Sequence, residues 1–233
     1  MEALAQYCEM QSEKEPPLQS RLREETLTHY AGSPGATRML CDPLQGRLLA
    51  LLSTLSGARL VLELGAFTGY SALCLATGLP GDSARGERKV VSSEPDAVAR
   101  SIALKYIAQA GLQDTVDLRD AKGMSVIEAV RADPAQPLFD LVFLDPPYGK
   151  ELGVRALQSA AEGGWIRKGA VAVLEEQADA EVRLQGGHDA CHRRGRLAQS
   201  PGRVLDRVDQ CGTHRPGGGH MRRHATAEEG ALP

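Results

Sequence analysis

Apolar and polar positions along the chain change period several times, and each change marks an element. In "LQSRLREETLTHY", residues 18–30, Leu18, Leu22 and Leu27 stand among charges at helical spacing, which predicts an amphipathic flanking helix. After the turn "GSPGA", the segment Gln45–Gly57 repeats that period and stops at a glycine, a second helix with a C-cap signal. "RLVLELG" (Arg59–Gly65) then abandons the helical period for a nearly continuous aliphatic run, and "YSALCLATGL" resumes it: strand, glycine turn, helix. The alternation continues. "KVVSSE" (Lys89–Glu94), "TVDLRD", "FDLVFLD" and "GAVAVLEE" (Gly169–Glu176) read as strands, separated by helices over Asp96–Gly111, "MSVIEAVRAD" and "ELGVRALQSAAEGG". Five strands alternating with helices predict an α/β fold, a mostly parallel sheet with helices on both faces. No convincing candidate for a terminal antiparallel strand pair follows Asp179, so part of the sheet edge is expected to be missing.

Beyond residue 179 the pattern stops. The last 54 residues hold nine Arg and no Lys, five of the six His and nine Gly, with no aromatic residue and no sustained apolar period. The chain therefore divides into a domain over 1–179 with an N-terminal helical flank and a weakly structured tail over 180–233. A shifted reading frame of a GC-rich gene would leave the same composition. For the whole chain a net charge of -3 gives no electrostatic reason to expect nucleic acid. Five scattered cysteines without CxxC spacing suggest neither a disulfide framework nor a zinc site, and fit a reducing compartment. The acidic N-terminus is unlike a targeting peptide, and the most apolar window, Leu48–Leu64, is broken by Arg59 and Glu63, so no membrane span is expected. A cytoplasmic protein is the reading.

The candidate chemistry begins at "LELGAFTGYSA". Gly65 and Gly69 lie on the turn from first strand to first helix, where a ligand would meet bare backbone N–H groups at a helix N-terminus. Glu63 is an acid on an otherwise aliphatic strand, costly to bury unless it meets a partner such as an ammonium group. Glu94 closes the second strand, where an acid can bind the two hydroxyls of a ribose. Together they describe a nucleoside ligand with a positively charged attachment.

The stretch "MLCDPLQGRLLALLSTLSGARLVLELGAFTGYSALCLATGLP" resembles the S-adenosylmethionine-dependent O-methyltransferases of the caffeoyl-CoA and catechol type, through Met-x-x-x-Pro-x-x-Gly and Phe-Thr-Gly-Tyr-Ser. The resemblance runs from about residue 4 to 130 and implies the Rossmann-like class I methyltransferase fold. It implies that Cys41 touches the cofactor, that Glu63 contacts the methionine amino group, and that Gly65 and Ala66 meet the methionine part through backbone. Ser71 would bind its carboxylate, Glu94 the ribose hydroxyls, and Gly123, with Asp120 and Ala121, the adenine. A dehydrogenase would show GxGxxG; here the spacing is Gly65-x-x-x-Gly69.

In that family the residue corresponding to Asp145 begins an Asp-Ala-Asp segment and binds a divalent metal that orients and acidifies catechol-type hydroxyls. Here the segment reads Asp-Pro-Pro-Tyr, and "LEEQAD" replaces the family's later Asp-Asn pair. The family pattern is not kept, and Asp145, Glu175 and Glu176 form the candidate set for Mg²⁺. Asp-Pro-Pro-Tyr is instead characteristic of amino-methyltransferases acting on nucleic-acid bases, and residues 140–179 resemble bacterial ribosomal RNA guanine-N2 methyltransferases. There the acid accepts a hydrogen bond from the amine and the aromatic ring stacks on the base. Asp145 and Tyr148 are thus the candidate catalytic residues.

Trp165 reads as a hydrophobic plug, Cys74 as core, Lys150 as a solvated lysine and His29 as a surface or capping residue. The expected function is S-adenosylmethionine-dependent methyl transfer to a hydroxyl of a small molecule, with a homodimer as the candidate assembly. Methylation of a base amine in RNA or DNA is the second reading, and a cofactor-binding but catalytically degenerate protein the third.

Overall fold

β1 (Leu60–Leu64) is buried at all five positions and forms the centre of the sheet. It pairs in parallel with β2 (Lys89–Ser93) on one side and with β4 (Phe139–Leu144) on the other. β3 (Val116–Arg119) lies outside β2 and β5 (Ile166–Glu175) outside β4, both parallel, giving the order β3-β2-β1-β4-β5-β6. The computed structural model describes residues 2–81, 87–133, 135, 138–146, 150–175 and 203–207.

Helices cover both faces because the strands bury alternate side chains on each. Val61, Val90, Leu141, Phe143 and Val173 share one core with α4 (Pro43–Ser56), α5 (Tyr70–Thr77) and α6 (Ala97–Gln109), and with Leu22 of α2 (Pro17–His29). Leu62, Leu64, Val91, Val142, Leu144 and Leu174 share the other with α7 (Gly123–Ala132) and α8 (Leu152–Gly163). The starts of α4 and α6 are fixed by side-chain caps: Asp42 accepts from Gln45 N, and Asp96 from Val98 N and Ala99 N. Gly57 ends α4 at φ 61°, the C-cap the sequence predicts. Trp165 is 4% exposed and edge-on to Phe139, a plug as expected, and Cys74 is core.

Five features depart from the sequence reading. A helix, α1 (Glu2–Gln11), forms ahead of the expected flank, and a short α3 (Pro34–Thr37) lies within the expected turn. β5 starts at Ile166 instead of Gly169, passing through Gly169 at φ 80° with a register shift against β4 that lets the strand continue. The buried face of α2 carries Gln19, Leu22 and Thr26, while Leu27 is 38% exposed. Finally, β6 (Arg203–Arg207) pairs antiparallel with β5, Val171 opposite Arg207 through Glu175 opposite Arg203, so the expected absence of a terminal antiparallel strand is corrected. The rest of the 180–233 tail lies outside the described residues. Among the described residues no helix is long and apolar enough to cross a membrane.

Candidate cofactor and acceptor site

Strand order reverses between β1 and β4, and their carboxyl ends lie side by side with Leu64 opposite Leu144. Such a reversal opens a crevice above the sheet where ligands of α/β proteins bind. The next residues, Gly65 and Asp145, press together: a Cβ on Gly65 would sit 3.3 Å from Asp145 O, and its φ of 99° is one that side-chain-bearing residues rarely adopt. Gly69, at φ 87°, packs on α6 so closely that a Cβ would lie 2.8 Å from Ala103 Cβ. Between them Phe67 holds φ 49° without being glycine. The turn is stitched by Gly69 N donating to Ala66 O at 2.8 Å and Ala66 N to Ser93 O at 2.9 Å.

The cleft above this turn is lined by Met39, Leu40, Cys41 and Gln45 from the α3–α4 segment, by Gly65 to Thr68, by Tyr70 and Ser71 of α5, by Phe143 of β4 and by Asp145 just after it. The structure thus brings Cys41, Gly65, Ala66, Ser71 and Asp145 of the expected set to one place. Ser71 stands in the first turn of α5, where the helix dipole favours an anionic group. Burial pushes the Cys41 thiol well above its usual pKa, so it is a neutral, compact wall and not a nucleophile.

Glu63 points to the α5 side of the sheet and is fully buried. Ser92 donates to its Oε2, while Oε1 has no hydrogen-bond partner. Burial raises its pKa to about 7, against the opposing pull of the Ser71 and Ser92 hydroxyls and with a further push from Glu94. An orphaned carboxylate oxygen in a dry site fits a cationic ligand group.

Glu94 is 8% exposed and clamped by backbone: Phe67 N donates to Oε2 at 2.8 Å and Asp96 N to Oε1 at 2.7 Å. Its pKa is raised by burial, partly offset by those two N–H groups. Each oxygen keeps a second lone pair, enough to accept from two ribose hydroxyls.

The adenine-side expectations fare less evenly. Gly123 packs on Leu64, its Cβ position 3.2 Å from Leu64 Cβ, so it lies near the end of β1. Ala121 is partly buried beside that core. Asp120 turns its carboxylate to Arg100 at 2.8 Å, and Arg100 also donates to Glu94 O. None of the three lines the cleft bounded by Cys41 and Asp145.

Pro147, Tyr148 and Glu176 lie outside the described residues, so the Tyr148 and Glu176 expectations have no structural counterpart here. Asp145 and Glu175 follow or end neighbouring strands in register, Leu144 opposite Leu174. Glu175 Oε2 already accepts from Gln45 Nε2 at 2.6 Å. Among the described residues no group of three or more His, Cys, Asp or Glu is arranged to hold a metal ion. His29 and Lys150 are exposed, as expected.

Sequence reading missed Gln45, Thr68 and Tyr70 as cleft residues. Gln45 and Tyr70 could have been found from their places inside the quoted family segment; Thr68 belongs to Phe-Thr-Gly-Tyr-Ser itself. Tyr70 OH donates to Glu15 Oε1 at 2.7 Å, and Glu15 also takes two bonds from Arg23 Nε and one from Arg23 Nη2, fastening the N-terminal flank behind α5.

Residues 9–150 match the family model described as O-methyltransferase, a span that includes the Asp-Pro-Pro-Tyr corner. The chain is 32% identical over 160 residues to tricin synthase 1 of Oryza sativa subsp. japonica, covering 66% of this chain and 59% of that protein. It is 32% identical over 146 residues to a caffeoyl-CoA O-methyltransferase of Populus kitakamiensis, covering 62% and 59%. Among solved structures, an O-methyltransferase from Bacillus cereus in complex with SAH superposes with a TM-score of 0.62 at 26% identity, covering 74% of this chain and 72% of that one. The chain spans 59% of the length of the two curated relatives named here.

Proposed function

Because the chain belongs to the O-methyltransferase family, we propose that it binds S-adenosylmethionine above β1 and β4 and transfers the methyl group to a hydroxyl of a small molecule. The observation that carries this reading is Glu63, a fully buried carboxylate with an unpartnered oxygen beside the glycine turn. A simple structural acid would be expected to find its partners within the protein.

When bound, the cofactor supplies an electrophilic methyl group on a sulfonium sulfur. Glu63 would receive its ammonium group, Ser71 and the α5 N-terminus its carboxylate, and Glu94 its ribose hydroxyls. Gly65 and Gly69 leave the backbone bare for close approach. Transfer of that methyl, with the S–C electron pair left on sulfur, would require the protein to take up the proton of the acceptor hydroxyl. Asp145, which lines the β4 side of the cleft, would accept that proton. The chain's main contribution is alignment and exclusion of water by Leu40, Cys41 and Phe143. No step is assigned to a metal ion, since Gln45 already occupies one oxygen of Glu175. The free Cys41 and Cys74 agree with a reducing, cytoplasmic setting.

Calorimetric titration with S-adenosylhomocysteine tests the cofactor, and transfer of labelled methyl tests the acceptor. Binding followed by labelling of catechols or caffeoyl-CoA is expected. Labelling of unmodified ribosomal RNA alone would replace the hydroxyl reading with the base-amine one. Binding without any labelling would favour a degenerate protein, although β6 supplies the antiparallel strand whose expected absence motivated that reading.

A further inference from the structure

We propose that Thr26, on α2 of the N-terminal flank and not a lining residue of the cleft, is a positioning residue that holds the glycine turn in its cofactor-binding form through Thr68. The inference rests on the cofactor reading above. Thr26 and Thr68 are both 0% exposed, 42 residues apart in sequence, with their hydroxyl oxygens 2.9 Å from each other. Thr26 Oγ1 also lies 2.8 Å from Leu22 O. A hydroxyl has one proton to give. Both contacts are satisfied when Thr68 donates to Thr26 and Thr26 donates to the Leu22 carbonyl, a short relay that ends on the α2 backbone.

The geometry of the turn explains what such a relay does. Phe67 at φ 49° and Gly69 at φ 87° flank Thr68, so the turn contains a strained non-glycine residue that persists only where its surroundings over-determine it. Two of its restraints come from the flank. One is the Thr26 hydroxyl; the other is the Tyr30 ring, whose centroid lies 5.0 Å from that of Phe67. The strained conformation aims Phe67 N at Glu94 Oε2 and sets Gly65 to Thr68 along the cleft. Removing the Thr26 hydroxyl leaves the Thr68 hydroxyl unpaired in a dry site, which favours turn conformations that free it. A ligand then binds only the remaining fraction of competent molecules, and its apparent affinity falls by that fraction.

Thr26→Val preserves shape and removes the hydroxyl, whereas Thr26→Ser preserves the hydroxyl. By calorimetry with S-adenosylhomocysteine, T26V is expected to bind about tenfold more weakly than wild type and T26S within about threefold of it, the ratio measuring the lost competent fraction. A T26V affinity within twofold of wild type, or a T26S variant as weak as T26V, overturns the assignment. Should T26V not fold, amide hydrogen exchange on the wild-type protein decides. S-adenosylhomocysteine is expected to slow exchange across residues 22–30 together with 65–69, and protection confined to 65–69 overturns the coupling. A wild-type protein that binds no S-adenosylhomocysteine overturns the cofactor reading, and this inference with it.

Discussion

Glu63→Gln keeps the outline of the side chain and removes its charge at the most deeply buried acid of the site. In the free protein Glu63 titrates at about 7 instead of 4.5, chiefly because burial penalises the carboxylate. Between those values the folded chain holds a proton that the unfolded chain has released, so stability falls as pH rises through the window. Below pH 4.5 both states are protonated and the residue is neutral in its effect; above 7 the full penalty applies. A shift of this size corresponds to about 3 kcal/mol, at 1.36 kcal/mol per pKa unit. The glutamine variant escapes it. At pH 8 its melting temperature should exceed that of wild type by roughly 5–10 °C, and near pH 4.5 the two should coincide. S-adenosylhomocysteine should bind the variant at least about 100-fold more weakly at pH 8, because a ligand ammonium would enter a buried site with no counter-charge. Thermal melts from pH 4.5 to 8.5, with and without ligand, measure both effects. A variant that melts below wild type at pH 8, or by a difference that does not change with pH, would refute the reasoning and mean that the carboxylate is already compensated in the free protein.

Gly69→Ala should destabilise by about 2–4 kcal/mol in urea titrations, since its Cβ would meet Ala103 at 2.8 Å and its φ is 87°. Glu94→Ala strands the N–H groups of Phe67 and Asp96, so it should cost about 1–3 kcal/mol and abolish competition by adenosine in S-adenosylhomocysteine titrations. Burial pushes the Glu15 carboxyl up, but the Arg23 and Tyr70 hydrogen bonds outweigh it and hold it below its usual value of 4.5. Glu15→Gln should therefore cost about 1–3 kcal/mol at pH 7, a difference that disappears as pH falls below 4.5 and the wild-type carboxylate is protonated.

The central strands and their helices were legible because burial on both faces writes itself into the residue pattern: the nearly continuous aliphatic run Leu60–Leu64 reads as an inner strand, and Glu63 stood out against it. The glycine turn was legible for a related reason, since Gly65 and Gly69 both hold a positive φ and Gly69 also meets a contact at which a Cβ would clash. β6 was not legible. Arg-Val-Leu-Asp-Arg has no alternation of its own, and its pairing is dictated by the edge that β5 offers. Thr26 escaped notice because the helical period pointed to Leu27, and only the position of Thr68 across the core makes a threonine useful there. The same holds for Gln45, whose partner Glu175 lies 130 residues away. Polar pairs of this kind leave no period in the sequence of either partner.

Gly65 rests against the carbonyl of Asp145, so the two halves of the cleft come from segments 80 residues apart that meet only when β4 has docked beside β1. Loop-closure entropy makes such a parallel, non-local pairing a late event during folding. The glycine turn, Glu63 and Glu94 belong to the earlier β1–β2 unit, but they face a finished pocket only after that event. A ligand of the cleft should accordingly slow unfolding and leave the refolding rate nearly unchanged. For this chain, occupancy of the site would act as a lock on a completed sheet and not as a template for building one.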